Sequence, residues 1–186
     1  LEESDRVIEM LNTLMDISEA ETGTMALRRE RTDLNDLIRQ SVELYEDLAD
    51  ERGVEIRTHV PSELVVDVDR NRMRQVLANL IDNAVKYTPA GGIVEISAHS
   101  ERGDAVATVS DTGVGIPAEE LPRIWDRLYR GDKSRSTRGL GLGLSLVKAI
   151  VAAHGGRVDA RSRPGAGSTF ELRLPAEVPP PNLSPM

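Results

Sequence analysis

Apolar side chains recur at intervals of three and four residues in four segments, and this spacing predicts four amphipathic helices. Asp33 and Asp69 stand where they would cap the second and third of them. The first predicted helix has an apolar seam that is typical of a helical hairpin or a coiled-coil partner. The alternative is a surface helix that packs on its own domain. A charged connector is expected from its end at Gly23 through Arg31. The four predicted helices cover residues 3–20, 33–53, 70–88 and 143–154.

Between the helices, short runs that alternate apolar and polar side chains predict strands. The segment 117–138 has many charges and only short helical patches, which indicates a long functional loop. The order of elements favours an α+β fold, a two-layer α/β sandwich with helices on one face of a sheet. The predicted strands cover residues 54–60, 64–68, 93–100, 105–110, 157–162 and 168–174.

The composition narrows the class of protein. A chain of 186 residues fits one globular domain plus an appendage. Its net charge of −8 argues against a general nucleic-acid-binding protein, and the absence of cysteine excludes disulfides and thiolate metal sites. The sequence has no run of 18 apolar residues, so it predicts no membrane span. The opening Leu-Glu-Glu-Ser lacks an initiator Met and reads as the inside of a charged helix, so we expect a fragment of a longer protein.

Two asparagines share the polar face of the helix predicted at 70–88. Because helix residues advance by about 100°, one arc of roughly 80° holds Arg72, Gln75, Asn79, Asn83 and Lys86, with Asp82 at its edge. Such a face is usually an ordinary solvated surface. Asparagine is a mediocre helix former, however, so two on one face need a reason. Their neutral amide oxygens can hold Mg²⁺ while a triphosphate supplies the negative charge.

Asp111 stands where a predicted strand breaks into Gly113 and Gly115. A carboxylate there can accept a hydrogen bond from the amino group of adenine, whereas guanine would present another acceptor. The two glycines allow the backbone to approach a base because they carry no Cβ. By itself, the pattern Asp-x-Gly-x-Gly is also a common turn.

A basic loop and a glycine-rich helix start follow. Between Arg123 and Arg138 there are six basic residues and two acids, a local charge of +4 in a chain of charge −8. Beside a triphosphate, such a loop would attract the nucleotide, although a solvated charge run is the alternative. Gly139, Gly141 and Gly143 then lead into the last helix, whose free N–H groups and dipole favour an anion.

In this order and spacing, the four blocks resemble the N box, first glycine box, F box and second glycine box of the sensor histidine kinase catalytic domain. The resemblance covers roughly residues 33–175, and it implies the Bergerat ATP-binding fold, ATP and Mg²⁺ as cofactors, and transfer of the ATP γ-phosphate to a histidine. Trp125 and Leu128 depart from the family, which usually has Phe at those positions. The blocks are Asn79–Tyr87, Asp111–Pro117, Ile124–Arg130 and Gly139–Leu144.

The resemblance also assigns the catalytic and metal-binding residues. It implies that Asn83 is the main Mg²⁺ ligand and that Asn79 assists. Lys86 and Arg130 are implied to meet the phosphates and to take part in catalysis with the two asparagines.

For the nucleotide, the resemblance implies that Tyr87 lies beside adenine and that Asp111 selects it. Thr169 resembles the water-linked partner of Asp111. Further implied contacts are Gly113, Gly115, Ile116, Gly139, Leu140, Gly141, Leu142, Gly143 and Leu144.

Three functions remain open. Gyrase, heat-shock chaperone and mismatch-repair ATPases of this fold place a Glu general base one helical turn before the metal-binding Asn. That position is Asn79 here, which cannot take a proton from water, so transfer to an external nucleophile is favoured over hydrolysis. Asp82 is the nearby carboxylate that keeps a hydrolase open. The third possibility is a non-enzymatic, nucleotide-dependent interaction module.

None of His59, His99 and His154 is followed by the acid that accompanies a family acceptor histidine. We therefore expect the phosphoacceptor hairpin upstream or on a partner chain, a response regulator as the next acceptor, and a homodimer in the full-length protein. The expected location is cytoplasmic, with a membrane anchor upstream. The expected divisions are 1–31, the second helix of the hairpin with its connector; 32–175, the catalytic domain; and 176–186, a disordered Pro-rich tail.

Overall fold

The computed structural model describes residues 2–60, 63–131 and 140–176. In these ranges the helices are α1 (Glu2–Glu21), α2 (Leu34–Glu43), α3 (Glu46–Arg52), α4 (Arg70–Tyr87) and α5 (Gly143–Ala153), with a 3₁₀ turn at Leu121–Arg123. The strands are β1 (Arg29–Asp33), β2 (Glu55–His59), β3 (Val65–Asp69), β4 (Ile93–Glu101), β5 (Asp104–Asp111), β6 (Arg157–Ser162) and β7 (Ser168–Pro175).

The main sheet has five strands in the order β2-β4-β5-β7-β6. β2 runs parallel to β4 and the other pairs are antiparallel. Alternate residues of β4, such as Val94 and Ile96, are buried because one face of the sheet is covered and the other faces water. The expected α+β fold with helices on one sheet face is confirmed.

The helices α4 and α5 supply most of the cover on the sheet. Leu77, Leu80 and Ile81 of α4, with Val147 and Ile150 of α5, are at most 1% exposed. Each such side chain contributes about 1.5–3 kcal/mol by leaving water. The two helices are therefore fixed firmly to the sheet, and their polar faces hold a defined position at its edge.

Two predictions were wrong. The predicted charged connector contains a strand, since β1 pairs antiparallel with β3 from Arg29 opposite Asp69 to Asp33 opposite Val65. This segment is a strand because it pairs with β3, which is distant in sequence. Its charged side chains do not prevent that pairing. The predicted helix 33–53 is also two helices, because the chain turns at Tyr45, whose N–H donates to the carbonyl oxygen of Val42.

The helix α1 packs on its own domain along one side only. Ile17 is fully buried, whereas Leu11 and Met15 are more than half exposed. Asp16 forms a bidentate ion pair with Arg72 of α4, at 2.7 and 2.9 Å. One face of α1 therefore packs on its own domain, as the alternative interpretation expected, and the helical hairpin stays a prediction for the exposed face. In the described ranges, no helix is both long and apolar enough to cross a membrane.

Candidate nucleotide site

A cavity of about 820 Å³ lies between the C-terminal half of α4, the end of β5 and the start of α5. Its size is within the range of small-molecule and cofactor sites, about 300–1,000 Å³. The sequence-predicted residues that line it are Asn79, Asn83, Lys86, Tyr87, Asp111, Gly115, Ile116, Arg130, Leu140, Gly141, Leu142, Gly143 and Leu144. Gly113 and Thr169 are not lining residues, and Gly139 lies outside the described residues.

The two asparagines present their amides at one end of the cavity. Asn79 Nδ2 donates to the carbonyl oxygen of Gln75 at 2.8 Å, which fixes the orientation of the amide. Its Oδ1 lies against α5, since a Cβ added at Gly143 would be only 2.5 Å away. Within the described residues, the side chain of Asn83 makes no hydrogen bond. Amide oxygens oriented in this way suit a hard cation such as Mg²⁺.

The N-terminus of α5 faces the same end. Leu142, the N-cap residue, makes no side-chain capping bond, so the first N–H groups of this 11-residue helix are open to an anion. Gly141 is in the left-handed region, with φ of +72°, and a Cβ there would be 2.7 Å from the carbonyl oxygen of Tyr129. Glycine is therefore required to fit this loop against the Leu128–Arg130 segment.

Asp111 lies at the opposite end of the cavity and is 8% exposed. Its Oδ1 accepts from the N–H of Gly113 at 2.8 Å and of Ser168 at 3.2 Å. Its Oδ2 has no hydrogen-bond partner within the described part of the chain. Burial raises the pKa of the carboxyl group, and the two N–H donors only partly offset it. The free oxygen can thus accept from a ligand amino group.

The loop after Asp111 is fixed between α4 and the turn that joins β6 to β7. Val114 N–H donates to the carbonyl oxygen of Tyr87 at 3.1 Å, and its own carbonyl accepts from Gly165 at 2.8 Å. Gly115 has φ of +67°, and a Cβ there would overlap the carbonyl of Arg163. The first glycine motif therefore places its backbone along the cavity wall.

The basic loop is held by ring contacts. Trp125 packs edge-to-face on Phe170 of β7, with centroids 6.2 Å apart, and Phe170 lines the cavity. The Arg123 guanidinium lies 4.4 Å from the Tyr129 ring centroid. Arg130 itself is a lining residue. Trp125, which replaces the usual Phe, thus keeps its anchoring contact with the sheet.

Thr169 was the predicted partner of Asp111, but its neighbour Ser168 is the residue that lines the cavity. Thr169 Oγ1 lies 2.8 Å from Ser110 Oγ, whereas Ser168 binds Asp111 through its N–H. The alternation of side chains along β7 could have indicated Ser168, because Ser168 shares a face with the buried Phe170 and Thr169 does not. Ser168 is therefore the better candidate partner for Asp111.

Several other polar lining residues were not predicted as parts of the site. Gln75 lies one turn before Asn79, and Thr13 extends from α1 to the cavity wall. Asp82 and Glu120 are carboxylates among the lining residues. Thr13 and Glu120 could not be placed without the packing of α1 and of the loop.

Comparison with known proteins gives consistent results. Residues 68–178 match the family described as histidine kinase-, DNA gyrase B- and HSP90-like ATPases. The histidine protein kinase DivJ of Caulobacter vibrioides is 38% identical over 182 residues, which is 96% of this chain and 30% of DivJ. The structure of full-length ShkA in complex with AMPPNP superposes with a TM-score of 0.83 at 30% identity, covering 95% of this chain and 37% of that one.

The solved catalytic domain of the histidine kinase ThkA matches with a TM-score of 0.72 and 28% identity. The match covers 82% of this chain and 97% of the ThkA chain. The chain spans about a third of the length of DivJ and ShkA.

Proposed function

Since the chain belongs to the family of histidine kinase-, DNA gyrase B- and HSP90-like ATPases, we propose that it is the ATP-binding kinase module of a two-component sensor histidine kinase. It binds ATP with Mg²⁺ and transfers the γ-phosphate to a histidine outside these 186 residues. One observation supports this most. A single cavity combines the α4 amides, the open N-terminus of α5 and the free Oδ2 of Asp111.

At the phosphate end, Asn83 and the fixed Oδ1 of Asn79 would hold Mg²⁺. A Mg²⁺ ion held there would neutralise charge on the phosphates. Lys86 and Arg130 add positive charge from two sides of the cavity, and the N–H groups that begin at Gly143 bind phosphate oxygens. These groups stabilise the transferred phosphoryl group without forming a covalent bond to it.

At the base end, the Asp111 carboxylate accepts from the adenine amino group, with Tyr87 beside the ring. Ser168, one residue from the predicted Thr169, supplies the hydroxyl that links Asp111 to the base through water. Gly113 fixes the carboxylate through its N–H. Adenine is selected because guanine places an acceptor opposite another acceptor.

The acceptor is expected outside the chain because no histidine here suits the role. His59 and His99 lie on β2 and β4, and neither lines the cavity. His154 is 2% exposed, and both its ring nitrogens are hydrogen-bonded. We therefore propose the phosphoacceptor hairpin as the first partner and a response regulator as the next, in a homodimeric cytoplasmic kinase with an upstream membrane anchor.

Hydrolysis is the second candidate, since Asp82 and Glu120 line the cavity. A carboxylate within reach of the γ-phosphate could activate water. Asn79 occupies the position at which related ATPases hold their general base, which favours transfer. Replacing Asp82 with Asn and Glu120 with Gln separates the two functions, because loss of a rapid ATP turnover in either variant would identify a hydrolase.

The test is incubation with γ-labelled ATP, with and without a purified acceptor hairpin that contains the family histidine. We expect label on the hairpin, no acid-labile label on the chain alone and slow release of phosphate. N83A is the control, because it should abolish labelling while the chain stays folded. Acid-labile label on the chain itself would show that one of its own histidines is the acceptor.

A further inference from the structure

His154 joins three parts of the molecule away from the nucleotide cavity. Its Nδ1–H donates to the carbonyl oxygen of Ile150 at 2.8 Å, within α5. Its Nε2 accepts from the backbone N–H of Asp69 at 3.0 Å, so the ring is the neutral Nδ1–H tautomer. Asp69 is both the last residue of β3 and the N-cap of α4. The imidazole thus connects the end of α5 to the start of α4.

Asp69 extends this joint to the connector that follows α1. Its Oδ1 accepts from the N–H groups of Asn71 and Arg72, and its Oδ2 accepts from the N–H of Arg28 at 2.9 Å. Arg29, the next residue, donates from Nη2 to the carbonyl oxygen of Ala153 at 3.0 Å. The connector is therefore attached to the ends of α4 and α5 that lie opposite the cavity.

We propose that His154 is a proton-sensitive joint between the connector (residues 23–31) and the two helices that carry the nucleotide site. Protonation of Nε2 turns an acceptor into a donor that faces the N–H of Asp69, so this hydrogen bond is lost. The Asp69 backbone must then move, and with it the carboxylate that holds Arg28. Acidification thereby loosens the connector, and with it the attachment of α1.

The charges around the ring determine when this happens. Burial is the largest effect and lowers the pKa of His154, and Arg29 of β1 lowers it too. The hydrogen bond to Ile150 and the carboxylates of Asp69 and Asp67 on β3 oppose this effect. Because the folded-state pKa is depressed, the joint is intact above the ordinary histidine value and is lost as pH falls through the folded value.

The test is amide hydrogen exchange by NMR between pH 7.5 and 5.5 on the whole chain, in wild type and H154Q. Glutamine can donate to Ile150 and accept from Asp69 without titrating. We expect the ratio of wild-type to H154Q exchange at Asp69 and Arg28 to rise as pH falls, by up to about tenfold per pH unit, the limit for one proton. The matched control H99Q, at an exposed histidine, should follow wild type.

A ratio that stays flat across this range would overturn the proposal, as would an equal rise at Val109, in the centre of the sheet. If H154Q does not fold, the proposal is tested on the wild type, by following the NMR chemical shifts of the two ring nitrogens of His154. Gain of a proton at Nε2 together with faster exchange at Asp69 supports the joint. Protonation without any change at Asp69 or Arg28 contradicts it. Neither readout requires kinase activity, so the result is independent of the proposed function.

Discussion

Replacing Asp111 with Asn separates recognition of adenine from the stability of the fold. Asn keeps an Oδ1 that can accept from Gly113 and Ser168, at the present 2.8 and 3.2 Å. The free oxygen, however, is replaced by an NH₂ group that faces the amino group of adenine. The variant should therefore fold normally and bind ATP poorly.

The expected magnitude follows from the bond that is lost. A hydrogen bond to a charged group contributes about 1.5–3 kcal/mol, which corresponds to a rise in the Kd for ATP of about 10- to 150-fold. The facing donors add repulsion to this loss. Guanine instead presents an acceptor to the new NH₂ group, so the preference for ATP over GTP should narrow as well.

The sign of the stability change follows from the pKa. A carboxyl whose folded-state pKa is raised by burial contributes stability below its unfolded pKa and loses it as pH rises through the folded value. At neutral pH the ionised Asp111 therefore stabilises the fold less than its protonated form would, and D111N, which stays neutral, should unfold at the same or a higher urea concentration. Wild-type ATP affinity should also fall as pH drops through the raised pKa, whereas that of D111N should not.

Affinities can be measured by calorimetry or through Trp125, the single tryptophan, which contacts the cavity residue Phe170. D104N is the matched control, since Asp104 begins the same strand and does not line the cavity. Equal wild-type affinity for ATP and GTP, or an unchanged Kd for ATP in D111N, would refute the role given to Asp111.

Three further predictions concern the rest of the site. N83A should lower Mg²⁺-dependent phosphotransfer by about a hundredfold or more but leave the affinity for adenosine unchanged, because the metal and base ends are separate; an unchanged Mg²⁺ dependence would exclude this ligand. G141A should lose about 1–3 kcal/mol of unfolding free energy in urea titrations, and more than G103A, which shares a positive φ but has open space around it. Amides of residues 117–131 should exchange more slowly with ATP and Mg²⁺ bound, since Arg130 of this segment lines the cavity and bound phosphate would hold it there; equal exchange with and without nucleotide would contradict this.

Much of the α4 face could be predicted because a helix converts spacing directly into direction. Asn79, Asn83 and Lys86 share one arc in the sequence and line one cavity in the structure. The N-caps Asp33 and Asp69 were likewise predictable, and each side chain accepts from the start of its helix. Local chemistry was enough in these places.

Long-range pairing could not be read in this way. The segment Arg29–Asp33 is a strand only because β3 lies beside it, and its own residues indicate a charged connector. Ser168 lines the cavity in place of the expected Thr169 for a related reason, since a shift of one residue in a strand reverses the face that meets the cavity. Errors of this kind arise where the partner element is remote in sequence.

The position of α1 matters most for how the site could be regulated. Thr13 lines the cavity, and Asp16, one turn further along, holds Arg72 on the face of α4 that leads to Asn79. A shift of α1 would therefore change the cavity wall and release an Arg72 guanidinium that is three-quarters buried. The same helix is followed by the connector that Asp69 and His154 attach to α4 and α5. Both attachments end on the helices that carry the nucleotide residues, so a displacement of α1 would act on α4 directly, through Asp16 and Arg72, and on α4 and α5 through the connector.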